Sequence, residues 1–369
     1  MTEPMECAEN PAYLREQIIT YIGNKRALLG LIEQGVKQVR ARLGGRKLSC
    51  LDAFSGSGIV TRMLKQHATA LYVNDLEDYA HTISTCYLSN AAELDHHALS
   101  TQFQALQEQL TELSPGFITE LYAPADDADI HPGERVFYTR RNAMYLDTAC
   151  RAIHALAPEA RPLFLGPLLS EASIHTNTAG VFKGFYKNRA GVGQFGGDAR
   201  NALSRILADI ELRLPVLSRY STENHISQRP ANELVLRLPE LDFAYLDPPY
   251  NQHPYGSNYF MLNLIANYER PGHTSVKSGI PQGWNRSVYN RPQAAQAELF
   301  RLVQDCPARF ILISYNSEGF VKYADFMNHL QSLGNVTVLQ TEYNTFRGCR
   351  NLHNRGIKVT EFLFLLEKH

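Results

Sequence analysis

The fold class of this chain is decided by the stretch Leu241-Asp242-Phe243-Ala244-Tyr245-Leu246-Asp247-Pro248-Pro249-Tyr250. Its first six residues are mostly apolar and rich in aromatics, which predicts a short buried strand. The two prolines exclude a helix and cannot donate backbone hydrogen bonds, so the strand ends in a stiff loop. In an open α/β fold such a loop lies at the carboxyl edge of the sheet, where ligands bind. Taken alone, these residues indicate a site and an ordinary strand-ending turn about equally.

The loop carries groups that suit an amino group on a flat ring. The Asp247 carboxylate and the Pro248 carbonyl can accept both hydrogens of an –NH2 group. The Tyr250 ring can stack on a flat heterocycle. If the loop is a site, we expect Asp247, Pro248 and Tyr250 to be its catalytic residues.

The composition excludes several classes of protein. The chain has 369 residues, 44% of them hydrophobic and 20% charged, which is typical of a soluble globular protein of roughly two domains. Its net charge of −1 gives no overall basic field, so a nucleic-acid site must come from local clusters. No apolar run approaches the ~18 residues of a membrane span, and the polar start is unlike a signal peptide. We therefore expect a cytoplasmic protein with no membrane partner.

Disulfide and metal chemistry are not expected. The six cysteines have no CxxC pair and fit a reducing cytosol; they are Cys7, Cys50, Cys86, Cys150, Cys306 and Cys349. Cys349 and His353 give only two ligands, too few for a zinc site, and the 13 histidines show no metal spacing. We assign no metal ligand.

Both ends of the chain predict alternating strands and helices. Near the start we predict strands at 48–54 and 70–73, helices at 26–43 and from about 59, and a strand-loop signal at 17–21. Near the end, strands are predicted at 243–246, 309–315, 336–342 and 359–366. This alternation is typical of a doubly wound α/β sheet.

The middle of the chain predicts helices instead. They cover 99–113, 145–156 and 201–212, with a loop at 122–132 and a glycine-rich basic stretch at 180–197. We therefore predict an α/β fold in which a doubly wound mixed sheet is interrupted by a mainly helical insertion. The predicted division gives residues 1–95 and 228–369 to a catalytic domain and residues 96–227 to the inserted domain.

A second motif, Leu51-Asp52-Ala53-Phe54-Ser55-Gly56-Ser57-Gly58, predicts a ligand site where a strand gives way to a helix. Its glycines let the backbone turn tightly and approach a ligand closely. Asp75 follows near the ~20-residue spacing expected for a carboxylate that accepts ribose hydroxyls. Thr61 replaces the third glycine of a dinucleotide loop, and a phosphate-loop Lys-Ser/Thr is lacking, which favours an adenosine without phosphates. A structural turn is the alternative.

Four motifs together resemble the Dam-like (alpha-group) DNA adenine-N6 methyltransferases of restriction-modification or orphan type. In order, they are Tyr21-Ile22-Gly23-Asn24-Lys25, the glycine loop, Asp75, and Asp247-Pro248-Pro249-Tyr250. The similarity continues through residues 255–260, 313–316 and 361–364, and it covers both flanks of the chain. The resemblance implies the fold of S-adenosylmethionine-dependent methyltransferases, with the insertion as target-recognition domain.

The resemblance also implies S-adenosylmethionine as the cofactor. With the glycine loop, the expected cofactor-binding residues are Tyr21, Lys25, Asp52, Phe54, Gly56, Gly58, Asp75 and Asp247. Tyr21 stands where Dam itself has tryptophan, and its place before a Gly-Asn turn favours an exposed ring over a core one. Lys25 is expected to pair with the cofactor carboxylate or with a phosphate near the target base, or else to be a solvated lysine before a helix.

The implied function is site-specific transfer of a methyl group to N6 of an adenine flipped out of double-stranded DNA. Transfer to cytosine N4 or to RNA adenine remains an alternative, although cytosine-N4 enzymes usually carry serine in place of Asp247. A non-catalytic DNA-binding protein with this fold is a second alternative. A cognate restriction endonuclease acting separately, and a place near the nucleoid, are further expectations.

DNA contact is predicted at clusters of basic residues. Lys183, Lys187 and Arg189 lie in the glycine-rich stretch, and Arg347 and Arg350 lie near the end of the chain. Arg205 lies just beyond the first cluster, and the aromatic residues interleaved with that cluster are Phe182, Phe185, Tyr186 and Phe195. A solvated basic loop is the alternative for either cluster. Residues 177–184 look more like restriction-modification relatives than like Dam, so the target sequence of Dam does not carry over.

Overall fold

The computed structural model describes residues 9–197, 202–344 and 358–369, and its centre is one seven-stranded sheet. The strands are β1 (Leu48–Asp52), β2 (Ala68–Asn74), β3 (Glu223–Ser227), β4 (Leu241–Leu246), β5 (Ala308–Asn316), β6 (Gly334–Asn344) and β7 (Lys358–Lys368). Their order is β3-β2-β1-β4-β5-β7-β6. All run parallel except β7, which is antiparallel to β5 and β6. The predicted doubly wound mixed sheet is confirmed.

Fourteen α-helices surround the sheet in the described part of the chain. They are α1 (Pro11–Arg15), α2 (Leu29–Arg42), α3 (Ile59–Leu64), α4 (Asp78–Leu88), α5 (His96–Gln109), α6 (Phe117–Tyr122), α7 (Arg140–His154), α8 (Arg161–Ile174), α9 (Leu203–Leu207), α10 (Ala231–Val235), α11 (Tyr255–Asn258), α12 (Phe260–Asn267), α13 (Pro292–Asp305) and α14 (Tyr323–Leu333).

Neighbouring side chains of each strand enter two different cores, as strand geometry requires. One core joins the face that carries Cys50 and Phe243 to α2 and α3. The other joins the face that carries Leu51 and Ala244 to α10, α13 and α14. A third core lies among α4 to α8 and α12 and buries most of the apolar side chains of the middle region.

The site is positioned by the change of direction in the strand order. The chain runs outward from β1 to β2 and β3, then returns to β4 on the other side of β1. The loops that follow β1 and β4 therefore leave in opposite directions and open a crevice at the carboxyl edge, where open α/β sheets bind ligands. The glycine loop follows β1, and Asp247 follows β4, so the fold brings both sequence motifs to this crevice.

Several local predictions differ from the structure. Residues 17–21 form irregular backbone rather than a strand, and the helix predicted at 201–212 is limited to α9. Beyond α9, the Ile210 amide donates to the Asn142 side chain and the Leu212 amide donates to the Tyr145 hydroxyl. These contacts replace helical hydrogen bonds, so tertiary packing overrides the local helical pattern.

Several elements escaped prediction, among them helix α8 and strand β3. Helix α8 contains Gly166 and Pro167 and is buried nearly all round, so it lacks the periodicity that marks a surface helix. Strand β3 reads as half-exposed and polar, yet it pairs with β2 at the edge of the sheet. The predicted insertion ended at residue 227, so this strand of the catalytic sheet lay inside it. The division into domains otherwise stays a prediction.

Candidate active site

A cavity of about 480 Å³ opens at the carboxyl edge of the sheet. Its walls come from segments that follow four different strands: Phe54 after β1, Asp75 after β2, Pro230 after β3, and Asp247 after β4. A further wall is the segment 285–290, which lies between α12 and α13. The cavity therefore collects the two predicted motifs in one place.

The glycine loop holds Asp75 from the cavity side. The Gly56 amide donates to Oδ2 of Asp75 at 2.8 Å, and the Glu77 amide donates to Oδ1 at 3.0 Å. Gly56 has a φ of +50°, and a Cβ there would lie 2.8 Å from the Tyr21 ring, so both the turn and the close approach require glycine. Burial raises the pKa of Asp75, and the two amide hydrogen bonds oppose that rise.

Asp52 lies beneath the glycine loop. It is buried, its Oδ2 accepts from the Thr61 hydroxyl at 2.5 Å, and its Oδ1 accepts from the Phe54 amide at 3.4 Å. Burial raises the pKa of Asp52 to about 7. These contacts connect the end of β1 to the start of α3, so Asp52 shapes the loop. The cofactor contact predicted for Asp52 stays a prediction.

Tyr21 belongs to a cluster of tyrosines that includes Tyr79, whose hydroxyl donates to the Tyr21 hydroxyl at 3.4 Å. Tyr255 and Tyr259 each stack on Tyr21 at a centroid distance of 4.9 Å, and their own centroids are 6.0 Å apart. The expected exposed ring is wrong, because Tyr21 is half-buried, but the residue still lines the cavity.

The same two tyrosines fix the backbone after Tyr21. The Ile22 amide donates to the Tyr259 hydroxyl at 2.7 Å, and the Tyr255 hydroxyl donates to the Ile22 carbonyl at 3.1 Å. The two rings can do this because they are spaced i, i+4 across α11 and the start of α12. A Cβ on Gly256 between them would lie 2.6 Å from the Asn285 carbonyl, so this turn packs directly on the segment that walls the cavity.

Lys25 lies at the centre of a buried charged cluster. Its ammonium is 3.1 Å from Oδ1 of Asp247 and 2.8 Å from Oε1 of Glu361. Asn24 caps the 3-10 turn that Lys25 begins and so fixes where its side chain starts. Lys25 is 3% exposed, so the interpretation as a solvated lysine is wrong. Burial lowers the pKa of Lys25, but the two carboxylates outweigh burial and raise it well above its usual value.

The residues of the tetrapeptide differ in their exposure. The Asp247 side chain is 18% exposed and faces the cavity, whereas Pro248 is buried. Burial raises the pKa of Asp247 to about 6, with Lys25 opposing the rise. The half-buried Tyr250 ring meets Tyr315 edge-on at 6.2 Å and lies 5.9 Å from the Lys25 ammonium. Asp247, a carboxyl group whose pKa lies near neutral pH, can thus face a ligand beside the Tyr250 ring.

Sequence reasoning missed several site residues. Glu77 lines the cavity two residues after Asp75, and the Asn263 amide group donates to it at 2.7 Å. Burial raises the pKa of Glu77 to about 8, so it is largely protonated at neutral pH. Tyr289 meets the Phe54 ring edge-on at 5.3 Å in the cavity wall. Their spacing gives no motif, because they enter the site through tertiary packing.

The basic stretch forms a compact turn rather than an open loop. An antiparallel β-bridge joins Lys187 to Gly193, and the exposed Arg189 lies in the turn between them. The Phe182 amide donates to the Asn258 carbonyl at 2.7 Å, which attaches the stretch to α11 beside the tyrosine cluster. The DNA contact predicted for the basic residues stays a prediction.

Some residues of the predicted DNA-contacting stretch have other roles. Phe182 and Phe185 pack on Phe137 in the core, so they do not serve as exposed stacking rings. The Arg205 guanidinium donates to the carbonyls of Ile174 and Thr176 at the end of α8. Lys183 is exposed. Arg347 and Arg350 lie outside the described residues, as do Cys7, Cys349 and His353.

The described residues show neither a metal-binding cluster nor a membrane-spanning helix. Within the described ranges, His, Cys, Asp and Glu side chains do not gather in groups of three that could hold a metal ion. Among the helices that the structure describes, none is both long and apolar enough to cross a membrane.

The sheet order is that of a methyltransferase-type α/β fold, and its cavity brings Phe54 of the glycine loop and Asp75 together with the Asp247 carboxylate. Residues 21–301 match the model of the D12 class N6 adenine-specific DNA methyltransferases. This match covers well over half of the chain, and the chain belongs to that family. It is an adenine-specific DNA methyltransferase.

Curated relatives agree with this assignment. Type II methyltransferase M.NlaIII of Neisseria lactamica is 27% identical over 361 residues, covering 95% of this chain and 99% of the relative. Type II methyltransferase M.CviAII of Paramecium bursaria Chlorella virus 1 is 27% identical over 359 residues, covering 94% and 98%. Modification methylase StsI of Streptococcus sanguinis is 25% identical, covering 94% of this chain but 52% of the relative.

A solved structure, that of Thermoplasma acidophilum 1320, is similar at 9% identity and a TM-score of 0.32. It covers 91% of this chain and 87% of that chain. A similarity this low does not bear on the fold or the function.

Proposed function

We propose that this enzyme transfers the methyl group of S-adenosylmethionine to N6 of a specific adenine that is flipped out of double-stranded DNA. The observation that carries the proposal is the shared cavity: Asp247 and the Asp75 carboxylate held by the glycine loop face the same space. One acid suits the donor's ribose, and the other suits the target's amino group.

The residues present fit the donor. Asp75 offers carboxylate oxygens for ribose hydroxyls, and the half-buried Phe54 offers a ring face for the donor's adenine. Gly56 and Gly58, both at positive φ, let the loop turn tightly beside them. Tyr21 lines the wall nearest Gly56. When bound, the donor supplies a methyl group on a positively charged sulfur, which needs no activation by the protein. The protein's task is therefore alignment.

Asp247 and Pro248 act on the target amine. The lone pair of an adenine –NH2 is delocalised into the ring, so the amine is a poor nucleophile. Hydrogen bonds from that group to the Asp247 carboxylate and the Pro248 carbonyl favour a pyramidal nitrogen whose lone pair points at the methyl group. Tyr250 stacks on the base and fixes its plane. A covalent enzyme intermediate is not required.

A paired adenine cannot reach this cavity, so the base must leave the duplex at a cost of a few kcal/mol. The turn that carries Lys187 and Arg189 is attached to α11 near the cavity, and it supplies exposed positive charge for backbone phosphates. We propose the same contact for Lys183, Arg347 and Arg350. The type II names of the relatives support a role in restriction and modification. We propose that a cognate endonuclease acts separately and that the enzyme works in the cytoplasm near the nucleoid.

Replacing Phe54 by alanine is expected to weaken S-adenosylmethionine binding, because the donor's adenine loses its stacking partner. Stacking a base on an aromatic ring contributes about 1–3 kcal/mol, so the dissociation constant rises roughly 5- to 150-fold. Isothermal titration with S-adenosylmethionine measures the change. Phe54→Tyr keeps the ring and serves as the matched control, with affinity near wild type. Equal affinities for all three proteins would remove Phe54 from the donor site.

A further inference from the structure

Glu361 is a buried carboxylate beside the site that the proposed mechanism leaves without a role. It is fully buried at 0% exposure, and its Oε1 accepts from the Lys25 ammonium at 2.8 Å and from the Ser314 hydroxyl at 2.7 Å. Its Oε2 has no hydrogen-bond partner among the described residues. A buried ionisable group in this state is costly unless it serves a partner.

The sheet register brings Glu361 to the catalytic edge. Strand β7 runs antiparallel to β5 and pairs Glu361 with Asn316, the last residue of β5. A residue near the start of β7 therefore lies at the carboxyl edge of the parallel strands. The chain of contacts then runs from Ser314 through Glu361 to Lys25 and on to Asp247.

We propose that Glu361 is a positioning residue for methyl transfer: it holds the Lys25 ammonium so that Lys25 engages only Oδ1 of Asp247 and leaves Oδ2 to the target amino group. The inference rests on the proposed function. Lys25 stands between two carboxylates, with Oδ1 of Asp247 at 3.1 Å and Oε1 of Glu361 at 2.8 Å. Without the second carboxylate, the ammonium would turn fully toward Asp247 and compete with the substrate for its oxygens.

The charges around Asp247 set the sign of the expected pH effect. The groups that face it are Lys25, Glu361, Tyr245, Tyr250, Tyr255 and Asp52. Burial has the largest effect and raises the pKa of Asp247. Lys25 lowers this pKa, and the negative charge of Glu361 raises it. Removal of that charge therefore lowers the pKa of Asp247. Asp247 must be ionised to accept from the amine, so the acid limb of the rate profile follows this pKa.

The test is the pH profile of single-turnover methyl transfer to duplex DNA by the full chain, wild type against Glu361→Gln. For the wild type, we expect the rate to fall below about pH 6, where Asp247 takes up a proton. For Glu361→Gln, we expect a plateau rate roughly 10-fold lower and an acid limb displaced to lower pH. A purely structural role for Glu361 would lower the melting temperature without moving the limb. An unmoved limb therefore overturns the inference, whatever the plateau rate.

Ser314→Ala is the second variant, because it removes the hydroxyl that orients Glu361 and keeps the charge. We expect its plateau rate to fall roughly 3-fold or more with the acid limb in place. If Glu361→Gln does not fold, Ser314→Ala serves as the test, and a wild-type plateau rate for Ser314→Ala overturns the inference. Absence of adenine methylation by the wild type would contradict the proposed function instead, so the two failures are distinct.

Discussion

Replacement of Asp247 by alanine is expected to abolish methyl transfer while the protein stays folded. The variant loses the carboxylate that accepts from the target amine, and preorganised acceptors of this kind contribute about 10²–10³-fold or more each. The fold survives because Lys25 keeps its contact with Glu361 at 2.8 Å, so the cation does not lose its only partner. Single-turnover transfer and thermal melting measure the two effects.

Asp242→Ala is the matched control, since Asp242 lies at the other end of the same strand, β4. It accepts from the Arg46 guanidinium and from the Ser49 amide, far from the cavity. We expect this variant to lose stability, because those contacts break, and to keep its transfer rate. Transfer at the wild-type rate by Asp247→Ala would contradict the proposed mechanism.

Replacement of Lys25 by methionine is expected to destabilise the protein by about 3–5 kcal/mol, because it leaves two carboxylates buried side by side. Both faced the same ammonium, within 3.1 and 2.8 Å. Without the cation, the folded-state pKa of Asp247 rises further above its unfolded value, since burial already raises it to about 6. Such a group stabilises the fold at low pH and loses that contribution as the pH rises through its folded pKa. The loss of unfolding free energy in Lys25→Met should thus be larger at about pH 8 than at about pH 5.5.

Denaturant unfolding of both proteins at the two pH values measures this effect. A double variant, Lys25→Met with Glu361→Gln, provides the control because it removes one of the two like charges that repel each other. We expect the double variant to regain part of the lost stability and to lose most of the pH dependence that Lys25→Met adds. A Lys25→Met protein as stable as wild type at both pH values would show that the cluster does not hold these charges together.

The fold and the main site residues were predictable because their signals are local. Strand β4 ends at Leu246 with two prolines two and three residues beyond, and β1 ends in a glycine loop; both patterns follow from backbone chemistry that needs no tertiary context. The resemblance implied that Asp75 and Asp247 share the cofactor site, an expectation consistent with parallel strands, which share a carboxyl edge. The cavity lined by both residues agrees with it.

The rest of the site depends on packing that a local pattern does not carry. Glu361 reaches Lys25 only through the register of an antiparallel strand across 336 residues of chain. Tyr21 is half-buried because Tyr255 of α11 and Tyr259, which lies between α11 and α12, stack on it, although its own neighbours indicated an exposed turn. Phe182 and Phe185 lie among basic residues in sequence but pack in a core in space. Interleaved aromatics are therefore weak evidence for stacking on DNA.

The proposed mechanism requires that the amine held at Asp247 is N6 of adenine in double-stranded DNA. It is tested most directly by incubating the wild-type enzyme with duplex DNA and S-adenosylmethionine carrying a deuterated methyl group, then digesting the DNA to nucleosides for mass spectrometry. We expect the label in N6-methyldeoxyadenosine alone, with Asp247→Ala giving none. Label in N4-methyldeoxycytidine, or wild-type enzyme that binds the donor without labelling the DNA, would contradict the claim.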